Sequence, residues 1–187
     1  VVLFPKLFKE VSEDVPLPPT GEAAYNPLYG LKLALLAHGQ KVSAWPNLTA
    51  AMHQLGARDT LLVYDRPEAM SEAQAQHLIA WVKAGGHLLM PGPASGASPG
   101  PLAGALGLRT VATPPADDSK PGMPWDEYAG CDRMLVPGKV QAKDAGLWLC
   151  DPRFRPLLPG FSLSGGDERR GYRFARRALG DGLVTVT

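Results

Sequence analysis

Few residues in this chain have both a type and a spacing suited to chemistry. Gly96-Ala97-Ser98-Pro99-Gly100 matches G-x-S-x-G, the pattern of a serine nucleophile elbow. Two physical objections weigh against that role. An elbow must come directly off a strand, and the preceding strand pattern ends near Met90. The residue after the nucleophile must also offer a backbone N–H to the oxyanion, and Pro99 has none. Ser98 is therefore expected in a proline-rich loop. Ser95 lies closer to the strand end, where it reads as a ligand hydrogen-bonder or, preferentially, as a solvated loop serine.

In open α/β sheets, ligands bind beyond the carboxyl ends of the strands. Asp65 and Arg66 follow the strand pattern Thr60–Tyr64 and belong to that edge. They suit a polar or charged ligand; the preferred alternative is that Asp65 caps the turn into Pro67 while Arg66 is solvated. Asn26 and Tyr29 open a helix whose N-terminus favours anions. Capping by Asn26 and packing by Tyr29 are the simpler readings. His38, His53, His77 and His87 lack metal-ligand spacing. Asp117, Asp118, Asp126 and Glu127 are too sparse for a calcium or magnesium loop. No metal and no cofactor is expected.

Cys131 and Cys150 fit no zinc or C-x-x-C pattern. In an oxidising compartment they could pair and close a loop of about 19 residues, for about 3 kcal/mol in the chain-entropy account. Separately buried thiols are the alternative. Arg169, Arg170, Arg173, Arg176 and Arg177 form the densest basic group. On a strand, Arg173 and Arg177 share one face, and Tyr172, Phe174 and Arg176 the other. Such a face suits anionic lipid or an acidic partner. Asp167 and Glu168 beside it favour a salt-bridged rim.

The elements that must position these groups are clearest between Gly21 and Gly92. Asn26-Pro27 signals a helix start, Leu28, Leu31 and Leu35 recur on one face, and Gly39 supplies the stop. Lys41–Trp45 reads as a short strand. Asn47 is placed to cap a brief helix carrying Leu48, Met52 and Leu55. Thr60–Tyr64 reads as a strand buried on both faces of a parallel sheet. Ser71 and Gln74 make a capping box, with Ala75, Leu78, Ile79 and Val82 as the buried stripe behind it. Gly85-Gly86 ends that helix and His87–Met90 is the next buried strand. Strand, helix and strand at this spacing make a βαβ unit with a right-handed crossover.

Leu102–Leu106 reads as a short helix and Arg109–Ala112 as a strand. After Pro114 the alternation breaks down. Arg133–Val136, Leu147–Cys150 and Phe161–Leu163 are short strand candidates, so an irregular insertion is expected over 114–170. Trp125, Tyr128, Trp148, Phe154 and Phe161 fall within it, either as a docking surface or, preferentially, as a satellite core. Gly171–Arg177 and Leu183–Thr187 read as two strands joined by a turn at Gly180-Asp181-Gly182.

The 187 residues suit one domain, 1–187, with 1–20 as an N-terminal extension. Apolar content of 45%, charged content of 20% and a net charge of +1 are ordinary, and they give no reason to expect nucleic acid. No apolar run reaches the ~18 residues that a membrane span needs. The opening VVLFPKLF reads as the tail of a removed membrane helix or signal peptide, or equally as an apolar first strand. The run LVTVT at the other end suggests that the domain continues beyond Thr187.

FKEVSEDVPLPPTGEAAYNPLYGLKLALLAHG and LLVYDRPEAMSEAQAQHLIAWVKAGGHLLMPG together resemble the bacterial domain of unknown function 4350. The matching pieces are Gly21-Glu22-Ala23 before Asn26-Pro27, the Ser71 capping box and Gly85-Gly86-His87. The likeness covers roughly 8–113, returns at Gly171–Thr187, and does not extend over 114–170. It implies a degenerate relative of class I glutamine amidotransferase-like, flavodoxin-like folds, a three-layer α/β sandwich with a mostly parallel sheet. It also implies a transmembrane tether just before the matched region, a domain on the periplasmic face of the inner membrane, and a role in an envelope assembly near MoxR-type AAA ATPases.

The amidotransferase relatives use a cysteine on the turn after the strand equivalent to His87–Met90, with a downstream histidine. Here that turn reads PGPASGASPG, and no histidine follows His87. The expectation is a non-catalytic binding or scaffold domain with a membrane or envelope protein as partner. The alternative is a sensing domain for a small polar ligand at the strand ends, and a residual hydrolase is the remote third.

Overall fold

The chain is described by a computed structural model over residues 20–64, 67–93, 98–111, 132–135, 146–149 and 153–187. It divides into two units, 1–46 and 47–187.

Within the first unit, a 3-10 turn Gly21–Ala24 precedes helix α1, Tyr29–Ala37. Glu22 ties the two together. Its carboxylate accepts from Lys32 Nζ at 2.7 and 2.9 Å and from Asn26 Nδ2 at 2.9 Å. Those hydrogen bonds, Lys32 foremost, lower the Glu22 pKa. The helix starts later than Asn26-Pro27 suggests, with Leu28 as N-cap. Asn26 instead accepts from the Leu28 N–H, closing a turn one step before the helix. No residue of α1 is buried. Lys41–Trp45, expected as a strand, is irregular. Strand propensity in so short a run depends on its surroundings, and Val42 and Ala44 alone do not impose it.

The second unit opens with helix α2, Leu48–Met52, whose N-cap Asn47 accepts from the Ala50 N–H. Then follow β1 (Thr60–Leu62), α3 (Glu72–Lys83), β2 (His87–Met90), α4 (Gly100–Ala105) and β3 (Leu108–Thr110). β4 (Asp132–Leu135) and β5 (Gly146–Leu149) form a separate antiparallel pair. β6 (Phe154–Pro156), β7 (Ser162–Asp167), β8 (Gly171–Leu179) and β9 (Gly182–Val186) complete the order.

The main sheet has seven strands ordered β1-β2-β9-β8-β6-β3, with β7 paired to β8. Among the described strands only β1–β2 and β2–β9 pair in parallel. Every other pairing in this sheet is antiparallel, so the mostly parallel sheet expected from sequence is corrected to a mixed one. The physical reason is the tight Gly180-Asp181 turn. It returns β9 alongside β8 as a hairpin, and a two-residue connection can only make antiparallel neighbours. β1 is an edge strand, half-buried rather than enclosed on both faces.

The insertion expected over 114–170 is corrected at its C-terminal end. β6 pairs with β3 and β8, and β7 pairs with β8, so both belong to the main sheet. Phe154 is fully buried in the main core, neither in a satellite cluster nor on a docking surface, and Phe161 packs against that core. Trp125 and Tyr128 lie outside the described residues.

The core forms where α3 and α4 meet one face of the sheet. Ala75, Leu78 and Val82 of α3 and Leu102 of α4 pack with Leu88, Met90, Val184, Val186, Ala175 and Phe154. The α3 start is a full capping box: Ser71 Oγ accepts from Gln74 N, and the Gln74 side chain accepts from Ser71 N. At the other end of α3, Gly182 enters β9 where a Cβ would run into the carbonyls of Val82 and Gly86. Two outcomes follow for urea unfolding. Gly182→Ala should lower stability by about 2 kcal/mol, because the obstructing atoms are backbone. Phe154→Ala should cost about 3–5 kcal/mol through the cavity it leaves.

Candidate functional site

Of the residues singled out for ligand binding, only Asn26 and Tyr29 fall within the described structure. Asn26 spends both amide atoms on local structure, giving to Glu22 and accepting from Leu28. Tyr29 is the half-buried first residue of α1. Asp65, Arg66, Ser95, Cys131 and Cys150 lie outside the described residues. Ser98 is exposed, and Pro99 after it is the N-cap of α4, well past the end of β2.

At the described carboxyl ends of β2 and β9, backbone and a core ring pack closely. Gly92 N donates to Thr187 O at 2.7 Å, and Thr187 N donates to Met90 O at 3.1 Å. Gly92 and Pro93 are buried. A Cβ on Gly92 would stand 2.5 Å from Cδ1 of Phe154.

Polar groups do assemble elsewhere, in two places. The first is a row across the sheet face opposite α3. His87 Nε2 and Thr185 Oγ1 are 3.0 Å apart, and Nδ1 lies 3.5 Å from Thr60 Oγ1. Arg176 pairs with Thr185 in the β8–β9 register and completes the row. Burial, and then the Arg176 charge, push the His87 pKa down. A strand starting at histidine carries no motif, so only the cross-strand register reveals this row.

The second place is the antiparallel corner of β6, β7 and β8. The turn after β7 is clamped by Asp167, whose carboxylate accepts from Arg169 N (2.9 Å), Arg170 N (2.8 Å) and Arg170 Nε (2.7 Å). These bonds, those from Arg170 foremost, hold Asp167 at about 2. Arg155 reaches across from β6 and donates Nη2 to the carbonyls of Glu168 and Arg169, the latter at 3.1 Å. A shallow cavity of about 290 Å³ is lined by Arg155, Pro156, Leu163, Glu168 and Tyr172, and a second of about 440 Å³ by Asp167–Arg170.

The basic group therefore divides. Arg170 is ion-paired with Asp167, as a salt-bridged rim requires. Arg177 lies over the Phe161 ring, 5.4 Å from its centroid. Arg173 is buried, at 1% exposure, while Arg169 and Arg176 remain exposed. Strand alternation anticipated the two faces of β8 but not the burial of a guanidinium. Among the described residues no group of histidine, cysteine and carboxylate side chains could hold a metal ion.

The His87 shift fixes a pH dependence. A folded pKa below the unfolded 6.5 means that the unfolded chain binds more protons on acidification. His87 therefore contributes stability that is complete above pH 6.5 and is lost as pH falls through the lowered folded value. Urea midpoints compared at pH 7.5 and on the acid side of 6.5 should show this loss in wild type. Arg176→Gln should shrink it, and His87→Gln should remove this component.

No curated protein matches the chain. Among solved structures it resembles an exo-β-1,4-mannosidase from Opitutaceae bacterium strain TAV5, at 14% identity and a TM-score of 0.42 over 69% of this chain. It also resembles a cold-adapted β-galactosidase from Rahnella sp. R3, at 16% identity and a TM-score of 0.33 over 67% of this chain. It spans only 20% and 18% of those two chains. A family model, the domain of unknown function DUF4350, matches residues 20–187, the region 114–170 included. The chain belongs to the DUF4350 family.

Proposed function

We propose that this is a non-catalytic binding domain whose contact surface is the antiparallel corner of β6, β7 and β8. One observation carries the reading. Arg155, Arg169, Arg170 and both shallow cavities gather at that corner, with Arg176 farther along β8, while Phe154 and buried backbone pack at the described ends of β2 and β9. Arg169 and Arg176 are solvent-exposed and spend no side-chain hydrogen bond on the fold, so they are available to an acidic protein partner. Arginine is the basic side chain best suited to such contacts.

The wider setting follows from the family likeness rather than from the site. We place the domain on a membrane tether at the periplasmic face, with an envelope protein as partner. We also read its plan as a flavodoxin-like, amidotransferase-like sandwich in which the antiparallel strands were elaborated. A small-ligand sensor built on Asp65, Arg66 and Ser95 is the weaker reading, because its neighbours Gly92 and Pro93 are buried against the core. A residual hydrolase is weaker still.

The test is cross-linking of the full-length protein in its own membranes, read by mass spectrometry. A specific partner should be captured by wild type and lost in the double variant Arg169→Glu, Arg176→Glu. A partner retained at full yield by that variant would move the contact surface elsewhere. Turnover of an amide or ester that disappears in Ser95→Ala or Ser98→Ala would overturn the non-catalytic reading.

A further inference from the structure

Arg109 and Arg155 stand directly opposite each other in the antiparallel β3–β6 ladder. Side chains so paired have Cβ atoms about 4.5–5.5 Å apart, and like charges there are destabilising. Both residues are exposed, yet no described carboxylate compensates them. The Arg109 side chain makes no hydrogen bond or ion pair among the described residues. Arg155 spends Nη2 on the carbonyls of Glu168 and Arg169, which holds its guanidinium in place without neutralising it. Glu168 lines the same cavity but makes no ion pair with Arg155, and Asp167 is occupied by Arg170 and the turn amides.

The backbone under the pair is well fixed. Leu157 N donates to Gly107 O at 2.7 Å and Val111 N donates to Arg153 O at 3.2 Å, so β3 and β6 are held together at both ends of the Arg109–Arg155 rung. The cavity beside Arg155 is walled by Leu163, Pro156 and Tyr172. Arg109 and Arg155 project from one rung, and their two guanidinium groups can supply a forked donor set for a planar or tetrahedral oxyanion, with Arg155 already oriented by the turn carbonyls.

We infer that Arg109 and Arg155 form a binding site for one oxyanion group, a phosphate or a carboxylate, at the β3–β6 edge of the arginine-bearing corner. The inference rests on the reading of that corner as a binding surface and specifies the chemistry it accepts. The anion relieves the repulsion of the rung, so binding and stability are coupled. Without an anion the pair is a liability; with one it becomes a cross-strand link.

The experiment is thermal unfolding of the folded chain in chloride, inorganic phosphate and acetate at matched ionic strength, on wild type, Arg109→Gln and Arg155→Lys. Phosphate or acetate at about tenfold above its dissociation constant should raise the wild-type Tm by roughly 3–6 °C. Whichever anion acts at lower concentration identifies the source. Arg109→Gln should melt at or above the wild-type temperature in chloride, yet gain nothing from either anion. Arg155→Lys keeps the charge but not the fork, and should lose most of the gain. An equal rise in all three proteins would be a general salt effect and would overturn the site, as would no rise in wild type. The partner cross-link is read separately through Arg169 and Arg176. Loss of the anion response with the cross-link intact would sink this site alone, and loss of the cross-link with the anion response intact would sink the docking reading alone.

Discussion

The register of β9 is the constraint on which the rest depends. β9 pairs in parallel with β2 on one side and antiparallel with β8 on the other, so it joins two differently built halves of one sheet. Its start is set by the Gly180-Asp181 turn and by the close approach of Gly182 to the end of α3. A slip of one residue would turn Val184 and Val186 away from α3 and bring Leu183 and Thr185 into the core. The same slip would separate Thr185 from His87 and Arg176 from its place in the polar row. Core packing and the polar face are thus two readouts of one alignment.

The two halves then differ in what they can offer. Parallel strands bring their carboxyl ends together, and here the described ends of β2 and β9 pack on Phe154 through Gly92. Antiparallel strands bring turns and cross-strand pairs to the surface. That is where Asp167 organises the tight turn and Arg155 anchors itself on its carbonyls. The switch from parallel to antiparallel pairing at β9 moves the chemically varied surface from the strand ends to the β6–β8 corner.

Local signals in the sequence were legible because local physics produces them. Ser71 and Gln74 close a capping box within one turn, Leu78 and Val82 repeat at helical spacing, and the Gly180-Asp181 turn closes the β8–β9 hairpin. What was hidden depends on partners far along the chain. β6 is only Phe154–Pro156 and ends in proline, so it has too little alternation to be read as a strand until β3 and β8 flank it. Thr60–Leu62 looks enclosed by composition but sits at an edge, because edge or centre is a property of the whole sheet. The same holds for the site. The Arg109–Arg155 rung joins two segments that share no motif, and His87 acquires its lowered pKa first from burial and then from Arg176 across two ladders.

The β2–β9 ladder also has a kinetic meaning. His87 and Thr185, which bond across it, are 98 residues apart in the chain, whereas β8 and β9 meet through a two-residue turn. Closing so long a loop costs entropy that grows slowly with length but must be met before any of the parallel contacts form. The hairpin is cheap and early, and the β2 ladder is the non-local step that follows. The strand that unites the two halves is therefore also the clock of folding: until β9 finds β2, α3 has only half of its sheet to rest on.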